Sequence, residues 1–335
     1  MTDDTEGPPL IEPPSMRLSH RRLLLAAALL ATLAYVGAAI ATDAHQTRET
    51  LVQLGWLGCT IVLALSALNY LLRFYRWQDF LLQFGRALPK PQHLLYYLSG
   101  FAFTVSPGKA GEAFRSLHLR EHGVSYSESI AALFAERLLD LIAMCLLASL
   151  IAYDHPAFRP LITAVLAIAA AMLIIVRRDF LPARLEKLGA TSRRQRLSAA
   201  LTSLAGLLRS SHRLLQTRSL LFGLCIALLA WGAEGLGLYL ICQGLHLSVA
   251  PSTAIGVYAI ASLAGSAAFF LPAGLGGMEL VMTSLLVAQG APVRTALIAT
   301  VLCRLATLWF AVFIGVAASS IIELQPALRQ ARSAS

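Results

Sequence analysis

The sequence predicts an all-α polytopic membrane protein with six full transmembrane helices, two opposed re-entrant helical hairpins and an inverted internal repeat. Three observations support this fold class. The chain is 57% hydrophobic and 13% charged, which is about half the charged content of ordinary soluble domains. Two of its apolar regions are interrupted by proline and glycine. Its Lys and Arg residues cluster in segments that this topology places on one side of a membrane.

Six apolar runs approach or exceed the roughly 20 residues that span a hydrocarbon layer. We expect helices at 23–42, 52–74, 127–152, 159–177, 219–243 and 292–322. Residues 1–16 are acidic and proline-rich, so they are predicted to form a disordered tail. For the first run, the cleavage-site-like "AIA" at Ala39–Ala41 leaves a removed signal peptide as the alternative to a membrane anchor.

Two further apolar regions, 91–121 and 251–289, are broken in the middle by "SPGKAGE" and "LPAGLGGME". Irregular backbone at membrane depth is tolerated only where it is buried in protein or lines a watery cavity. We therefore interpret each region as a re-entrant hairpin, in which a short helix enters the membrane, turns at a glycine-rich tip and leaves on the same side.

The charge distribution gives the expected orientation. The linker 177–218 contains ten Lys and Arg residues and is predicted to face the cytoplasm, as are the N-terminus and the tail 323–335. Outer loops are then expected near 43–50, 153–158 and 244–250. The linker also has apolar residues at helical spacing, which indicates a helix along the cytoplasmic leaflet, with a solvated loop as the alternative. These residues are Leu197, Leu201, Leu204 and Leu208.

An internal repeat relates the two halves. "GVSYSESIAALFAERLLDLI" at 123–142 aligns with "GAPVRTALIATVLCRLATLW" at 290–309, and the same spacing of 167 residues pairs Glu112 with Glu279 and Arg137 with Arg304. An odd number of crossings separates the copies, so the second copy is predicted to be inverted. We divide the single membrane domain 17–322 into repeat A (about 52–152), the linker 177–218 and repeat B (about 219–322).

Charged residues lie inside the apolar helices. A charge at the bilayer centre costs roughly 2.5–3.5 kcal/mol even on the mildest scale, so these side chains are expected to line a polar path. The alternative is that they form buried ion pairs that lock helices together. The residues are Glu136, Arg137, Asp140, Glu234 and Arg304.

The hairpin tips add further charge. Helices that restart after each tip would direct their positive ends at the cavity, and Lys109 and Arg115 would supply cations. This arrangement suits the phosphate of a lipid headgroup, with Glu112 and Glu279 as counter-ions, contacts for an aminated headgroup or proton carriers. Asn69, Arg73 and Arg76 fall near the predicted end of the 52–74 helix, where they are expected either to receive the headgroup or to act as ordinary interface anchors.

The motifs "PGKAGEAFR", "AERLLD" and "PAGLGGMEL" occur in this order, and residues 20–322 resemble the lysylphosphatidylglycerol synthase transmembrane-region family of flippase-like membrane proteins. The resemblance implies a lipid flippase. Fused members carry a cytoplasmic synthetase domain, so a chain ending at Ser335 is not expected to make lysylphosphatidylglycerol itself. The resemblance implicates Pro107, Gly108, Lys109, Gly111, Glu112, Arg115, Glu136, Arg137, Asp140, Pro272, Gly274, Gly276 and Glu279.

The expected function is therefore a lipid transporter of the bacterial inner membrane, acting on an aminoacyl-, glyco- or polyprenyl-lipid with a phosphate-bearing headgroup. The alternatives are a non-catalytic partner of lipid-modifying enzymes and an integral membrane transferase with Glu136 or Asp140 as base. The sequence contains no nucleotide-binding, nucleophile or metal-ligand pattern, so we expect no enzymatic activity, cofactor, metal or nucleic-acid partner. The expected partners are lipids with anionic headgroups and, as a second class, lipid-modifying enzymes.

Overall fold

The computed structural model describes residues 18–104, 119–120, 122–152, 156, 159–178, 180–191, 194–267 and 276–333. All regular secondary structure in these ranges is helical. The described ranges also contain a 3₁₀ turn (Gly100–Phe103) and a π-helical turn (Leu305–Trp309). The helices are α1 (Leu18–Gln83), α2 (Lys90–Ser99), α3 (Tyr126–Ala152), α4 (Arg159–Val176), α5 (Phe180–Thr191), α6 (Gln195–Leu214), α7 (Thr217–Gly244), α8 (Pro251–Ala267), α9 (Gly277–Ala288), α10 (Val293–Arg304) and α11 (Phe310–Ser333).

Several segments are long and apolar enough to cross a membrane. Within the described ranges these are Leu51–Gln83, Thr217–Gly244 and Val293–Leu324, and two shorter apolar helices cover Ile162–Val176 and Gly277–Ala288. The predicted class of helical membrane protein is confirmed, and the expected helices 127–152, 159–177, 219–243 and 292–322 all have counterparts. The count of six crossings is not confirmed, because the expected helices 23–42 and 52–74 belong to one continuous helix.

Residues 43–50, expected to form an outer loop, are helical. The segment "DAHQTRET" contains no proline or glycine that would end a helix, so α1 continues from Leu18 to Gln83. Within this helix, Gly55 has a left-handed backbone conformation, with φ of +63°, which glycine adopts at little cost. The prediction of a loop at 43–50 is wrong.

The predicted end of the second helix is also wrong. α1 does not stop at residue 74 but reaches Gln83. Trp77, Phe80 and Leu81 are fully or almost fully buried, so the apolar face of this helix continues into the protein core. As a consequence, Arg73 and Arg76 lie within a packed helix and not at its end.

Helix α3 occupies the centre of the bundle and packs against α6, α7 and α8. Its small residues Ala131, Ala132 and Ala135 are completely buried, which allows neighbouring helices to approach closely. Similarly, Gly256 of α8 packs closely against Ile151 at the end of α3. The tight packing of α3 fixes the position of the charged residues that it carries.

The proposed repeat units share a backbone feature. Gly123 and Gly290 have φ values of +78° and +91°, and the helices that follow begin at Tyr126 and Val293. Each glycine ends the preceding helical turn in a Schellman motif. The equivalent hydrogen bonds run from Gly123 N–H to Arg120 O (3.0 Å), Val124 N–H to Leu119 O (3.2 Å), Gly290 N–H to Val287 O (2.9 Å) and Ala291 N–H to Leu286 O (3.1 Å).

The basic linker forms two helices that pack against each other, α5 and α6, where one interfacial helix was expected. α6 has two apolar sides. Ala205 and Leu214 are buried, and α6 contacts α3, whereas Leu197 and Leu204 are exposed. Exposed Phe180 and Leu188 extend this apolar surface onto α5, among many arginines.

Helices border the breaks of both hairpin regions in the described residues. α2 precedes the first break, and α8 and α9 flank the second. Several predicted residues at the tips lie outside the described residues. In the first tip these are Pro107, Gly108, Lys109, Gly111, Glu112 and Arg115, and in the second tip they are Pro272 and Gly274. The predicted tail 1–16 also lies outside the described residues.

Candidate functional site

A buried cluster of ion pairs joins α1 to α3. Arg73 Nη2 lies 3.2 Å from Glu136 Oε1, and Arg76 Nη2 lies 2.7 Å from Asp140 Oδ1. The pairs are cross-connected, because Arg76 Nη2 is also 3.5 Å from Glu136 Oε1 and Arg73 Nη2 is 4.0 Å from Asp140 Oδ2. The exposed fractions of these residues are 6% for Arg73, 0% for Arg76, 0% for Glu136 and 3% for Asp140. Bulk water therefore solvates these charges very little, and each charge is stabilised mainly by its oppositely charged partners.

Helical spacing explains the cluster. Positions three or four residues apart share a helix face, so Arg73 and Arg76 meet Glu136 and Asp140 as two facing pairs. The alternative that Arg73 and Arg76 are interface anchors is therefore wrong, because the core encloses both. Asn69, one turn before Arg73, is also fully buried and donates from Nδ2 to Ala230 O of α7 at 2.9 Å.

Two further groups contact the cluster. The Tyr97 hydroxyl of α2 donates to Glu136 Oε1 at 3.3 Å. Arg137 Nη1 lies 3.8 Å from Asp140 Oδ2, and its side chain is 31% exposed. The first hairpin region is thus tied directly to the central carboxylates, with Arg137 at the edge of the cluster.

A second ion pair lies at the start of α9. Arg304 Nε donates to Glu279 Oε1 at 2.7 Å, while Gly276 N–H donates to Glu279 Oε2 at 2.8 Å. Gly276 has a φ of +90° and forms the N-cap of the helix. Glu279 therefore holds the beginning of α9 with one oxygen and Arg304 with the other. The three roles considered for Glu279 stay predictions.

Between the two ion-pair sites lies a cavity of about 90 Å³. Since one water needs roughly 10–15 Å³, this space could hold several waters or one small polar group. All three candidate spans contribute to its wall. It is lined by Tyr70, Arg73, Phe101, Thr104, Met144, Trp231, Glu234, Tyr258, Ser262, Gly265, Ser266, Met278, Arg304, Thr307, Leu308 and Ala311.

The cavity wall combines charge with aromatic rings. The Arg73 guanidinium carbon lies 5.2 Å from the ring centroid of Trp231 and 5.8 Å from that of Phe101, within the range of cation–π attraction. Tyr258 donates its hydroxyl hydrogen to Glu234 Oε2. The Tyr70 hydroxyl donates to Thr307 O at 2.6 Å and so connects α1 to the π-helical turn. This wall offers two guanidinium groups, one carboxylate and several hydroxyls to a polar ligand.

The structure brings most of the described sequence-predicted residues together in two adjoining groups. Arg73, Glu234 and Arg304 line the cavity, whereas Glu136, Asp140, Arg76 and Arg137 form the cluster behind Arg73. The two interpretations of the buried charges are therefore compatible, since ion pairs and a polar cavity share Arg73.

Sequence reasoning missed the aromatic and hydroxyl-bearing part of the wall. Tyr70, Trp231 and Tyr258 of the wall, like Tyr97 of the ion-pair cluster, resemble ordinary apolar-helix residues in the sequence. Trp231 does lie one helical turn before Glu234, and Tyr70 lies one turn before Arg73, which is the available signal. In the part of the chain that the structure describes, no group of three or more His, Cys, Asp or Glu side chains is arranged to hold a metal ion.

Comparison with known proteins identifies the family. The model of the family described as "Lysylphosphatidylglycerol synthase TM region" matches residues 22–315. The search of curated proteins gave no match. The matched range includes the ion-pair cluster, the cavity wall and both interrupted regions. The chain thus belongs to the lysylphosphatidylglycerol synthase transmembrane-region family.

Proposed function

We propose that this protein moves a lipid with a phosphate-bearing headgroup between the leaflets of the bacterial inner membrane. The observation that carries this proposal is the cavity between Arg73 and Arg304, which lies among apolar helices and is lined by charged and hydroxyl groups. A headgroup in the cavity would exchange water for guanidinium and hydroxyl contacts, while its acyl or prenyl tails remain in the lipid. Guanidinium groups are well suited to phosphate because they donate paired hydrogen bonds.

The proposed topology is based on the distribution of basic residues and on the internal repeat. With two re-entrant hairpins, the basic α5–α6 region and the C-terminus would lie in the cytoplasm. The alignment of 123–142 with 290–309, each of which begins at a glycine in a Schellman turn, is the basis for an inverted repeat whose hairpins would approach the cavity from opposite faces. Substrates in this scheme are aminoacyl-, glyco- or polyprenyl-lipids, and the protein is not itself an enzyme.

Reconstitution tests the function. Purified protein is placed in liposomes of neutral lipid containing phosphatidylglycerol with a fluorescent acyl chain, and dithionite reports the label that reaches the outer leaflet. We expect rapid loss of label from both leaflets with the wild type and a loss of transport of about tenfold or more for Arg304→Gln, because a charge-assisted contact of about 1.5–3 kcal/mol is removed.

Arg209→Gln is the matched control, because Arg209 is an exposed arginine that pairs with Glu186 at 2.8 Å on the α5–α6 surface. It should transport lipid at the wild-type rate. Equal transport by the Arg304 and Arg209 variants would contradict the assignment of the cavity. Absence of transport by the wild type for every phosphate-bearing lipid tested, with full cellular function in the Arg304 variant, would instead favour a scaffold for lipid-modifying enzymes.

A further inference from the structure

The described charges around the cavity balance one another. The four arginines each lie near a carboxylate: Arg73 near Glu136, Arg76 and Arg137 near Asp140, and Arg304 near Glu279. Glu234 is a further carboxylate on the cavity wall. An anionic headgroup that enters must therefore take over a guanidinium group that already has an internal carboxylate partner.

Of the two arginines that line the cavity, Arg73 is the one suited to exchange its partner. Arg304 is paired at 2.7 Å with a glutamate that Gly276 also holds. The contact between Arg73 and Glu136 is longer, at 3.2 Å. In addition, the Nε atom of Arg73 is buried and has no hydrogen-bond partner among the described residues. The buried side chain of Arg73 thus keeps an unused donor at the cavity wall.

Glu136 would not be left without a partner by the exchange. Arg76 Nη2 lies 3.5 Å from Glu136 Oε1, and the Tyr97 hydroxyl donates to the same oxygen at 3.3 Å. Arg76 is fully buried and is not part of the cavity wall. A carboxylate buried without compensation would be very unfavourable, and these two contacts remove that obstacle.

We propose that Glu136 is an internal substitute for the anionic headgroup: it holds Arg73 while the cavity is empty, and a headgroup that binds takes Arg73 while Arg76 and Tyr97 retain Glu136. This inference rests on the proposed function and adds a specificity-determining role for Glu136. Return of Arg73 to Glu136 would then help to release the lipid. Binding and release are thereby linked through one arginine.

The central test is Glu136→Gln, which removes the competing charge with little change in shape. Binding of dihexanoyl-phosphatidylglycerol to the purified full-length protein in neutral detergent is measured by titration, and transport is measured in liposomes. We expect affinity to increase by at least about fivefold, the lower end of usual coupling between sites, while transport becomes slower. A residue with only a structural role would weaken binding and transport together.

Asp140→Asn is the matched control on the same helix. Its carboxylate is bound mainly to Arg76 at 2.7 Å and lies 4.0 Å from Arg73, so its removal should not tighten binding. Tyr97→Phe is an independent variant that should change the binding affinity in the opposite direction to Glu136→Gln. It retains the ring that packs on Phe74, Trp77 and Phe101. Loss of its hydroxyl should make Glu136 hold Arg73 more firmly and weaken phosphatidylglycerol binding.

The outcomes separate this inference from the proposed function. Tighter binding by Glu136→Gln and weaker binding by Tyr97→Phe would support it. If the wild type transports phosphatidylglycerol but Glu136→Gln binds it no more tightly, the role of Glu136 is overturned and the proposed function stands. If Glu136→Gln does not fold, unchanged or tighter binding by Tyr97→Phe overturns the role of Glu136. A wild-type protein that neither binds nor moves phosphatidylglycerol or the other candidate lipids would overturn both.

Discussion

Arg76 shows how strongly one buried charge depends on its partner. Its side chain has no solvent exposure, and its Nη2 lies 2.7 Å from Asp140 Oδ1. In a buried site the cost of desolvating both ions offsets much of their attraction, so the pair contributes less to stability than its short distance suggests. Removal of one partner has a much larger effect, because it leaves the other charge buried and uncompensated.

We therefore predict that Arg76→Met lowers stability by about 3–5 kcal/mol. The thermal unfolding midpoint of the purified protein in detergent measures this effect. Adding Asp140→Asn to this variant should recover part of the loss, since the uncompensated carboxylate is removed. Arg209→Met, which breaks an exposed pair, should cost at most about 1 kcal/mol. Equal losses for the Arg76 and Arg209 variants would show that the cluster is hydrated and not buried.

At the scale of elements, close helix contacts position the site. Gly235 follows Glu234 in α7, and a Cβ atom at this position would lie 2.8 Å from the Cα of Ile255 in α8. A second close contact occurs at Gly315 in α11, where a Cβ atom would overlap the backbone of Ala102 beside α2. Because backbone atoms cannot move aside without shifting a helix, these glycines set the distances between the helices that form the cavity.

The corresponding prediction concerns Gly235→Ala. The added methyl group should separate α7 from α8, reduce stability by about 1–3 kcal/mol and impair transport, since Glu234 and its partner Tyr258 are on these two helices. Unfolding midpoints and the liposome assay measure both effects. Gly232→Ala is the control on the same helix: its Cβ would meet open space, and alanine improves helix propensity by about 1 kcal/mol. A Gly235 variant as stable and active as the Gly232 variant would contradict the tight contact.

The sequence predicted elements well where the pattern was local. The helices 127–152, 159–177 and 219–243 agree with the observed ranges to within two residues at each end. Local patterns failed in α1, because the polar segment 43–50 suggested a loop although it contains no helix breaker. They also missed the division of the linker into α5 and α6, which is stabilised by packing between the two helices and against α3.

At the scale of the whole molecule, the charge asymmetry predicts an orientation. The turn between α5 and α6 is surrounded by arginines, whereas the turn after α7 contains none. α7 is long and apolar enough to cross the membrane, so the two turns should lie on opposite sides. The positive-inside rule assigns the α5–α6 turn to the cytoplasm.

Cysteine labelling tests this orientation. Arg194→Cys and Ser248→Cys are made separately in a variant in which the five native cysteines have been replaced, and intact cells are treated with a membrane-impermeant maleimide. We expect labelling at position 248 in intact cells and at position 194 only after permeabilisation. The reverse pattern would invert the topology, and labelling of both positions in intact cells would show that α7 does not cross.

The candidate site was only partly predictable. Glu136, Asp140, Glu234 and Arg304 could be selected from the sequence because a charge within an apolar membrane helix is costly and is typical of a functional site. The pairing of Arg73 with Glu136 could not be predicted, because the two residues are 63 positions apart and no local periodicity relates them. The spacing between Glu279 and Arg304 recurred in the repeat, but their ion pair is evident only in the tertiary structure.

By itself, the sequence determined the membrane environment, most of the helices and the family, since each of these depends on composition, local periodicity or ordered motifs. The tertiary structure decided which charges meet, that Arg73 serves both the ion-pair cluster and the cavity, and that aromatic residues complete the wall. The physical reason is that helix formation depends on residues within one or two turns, whereas the contacts of a buried charge depend on which helices pack around it.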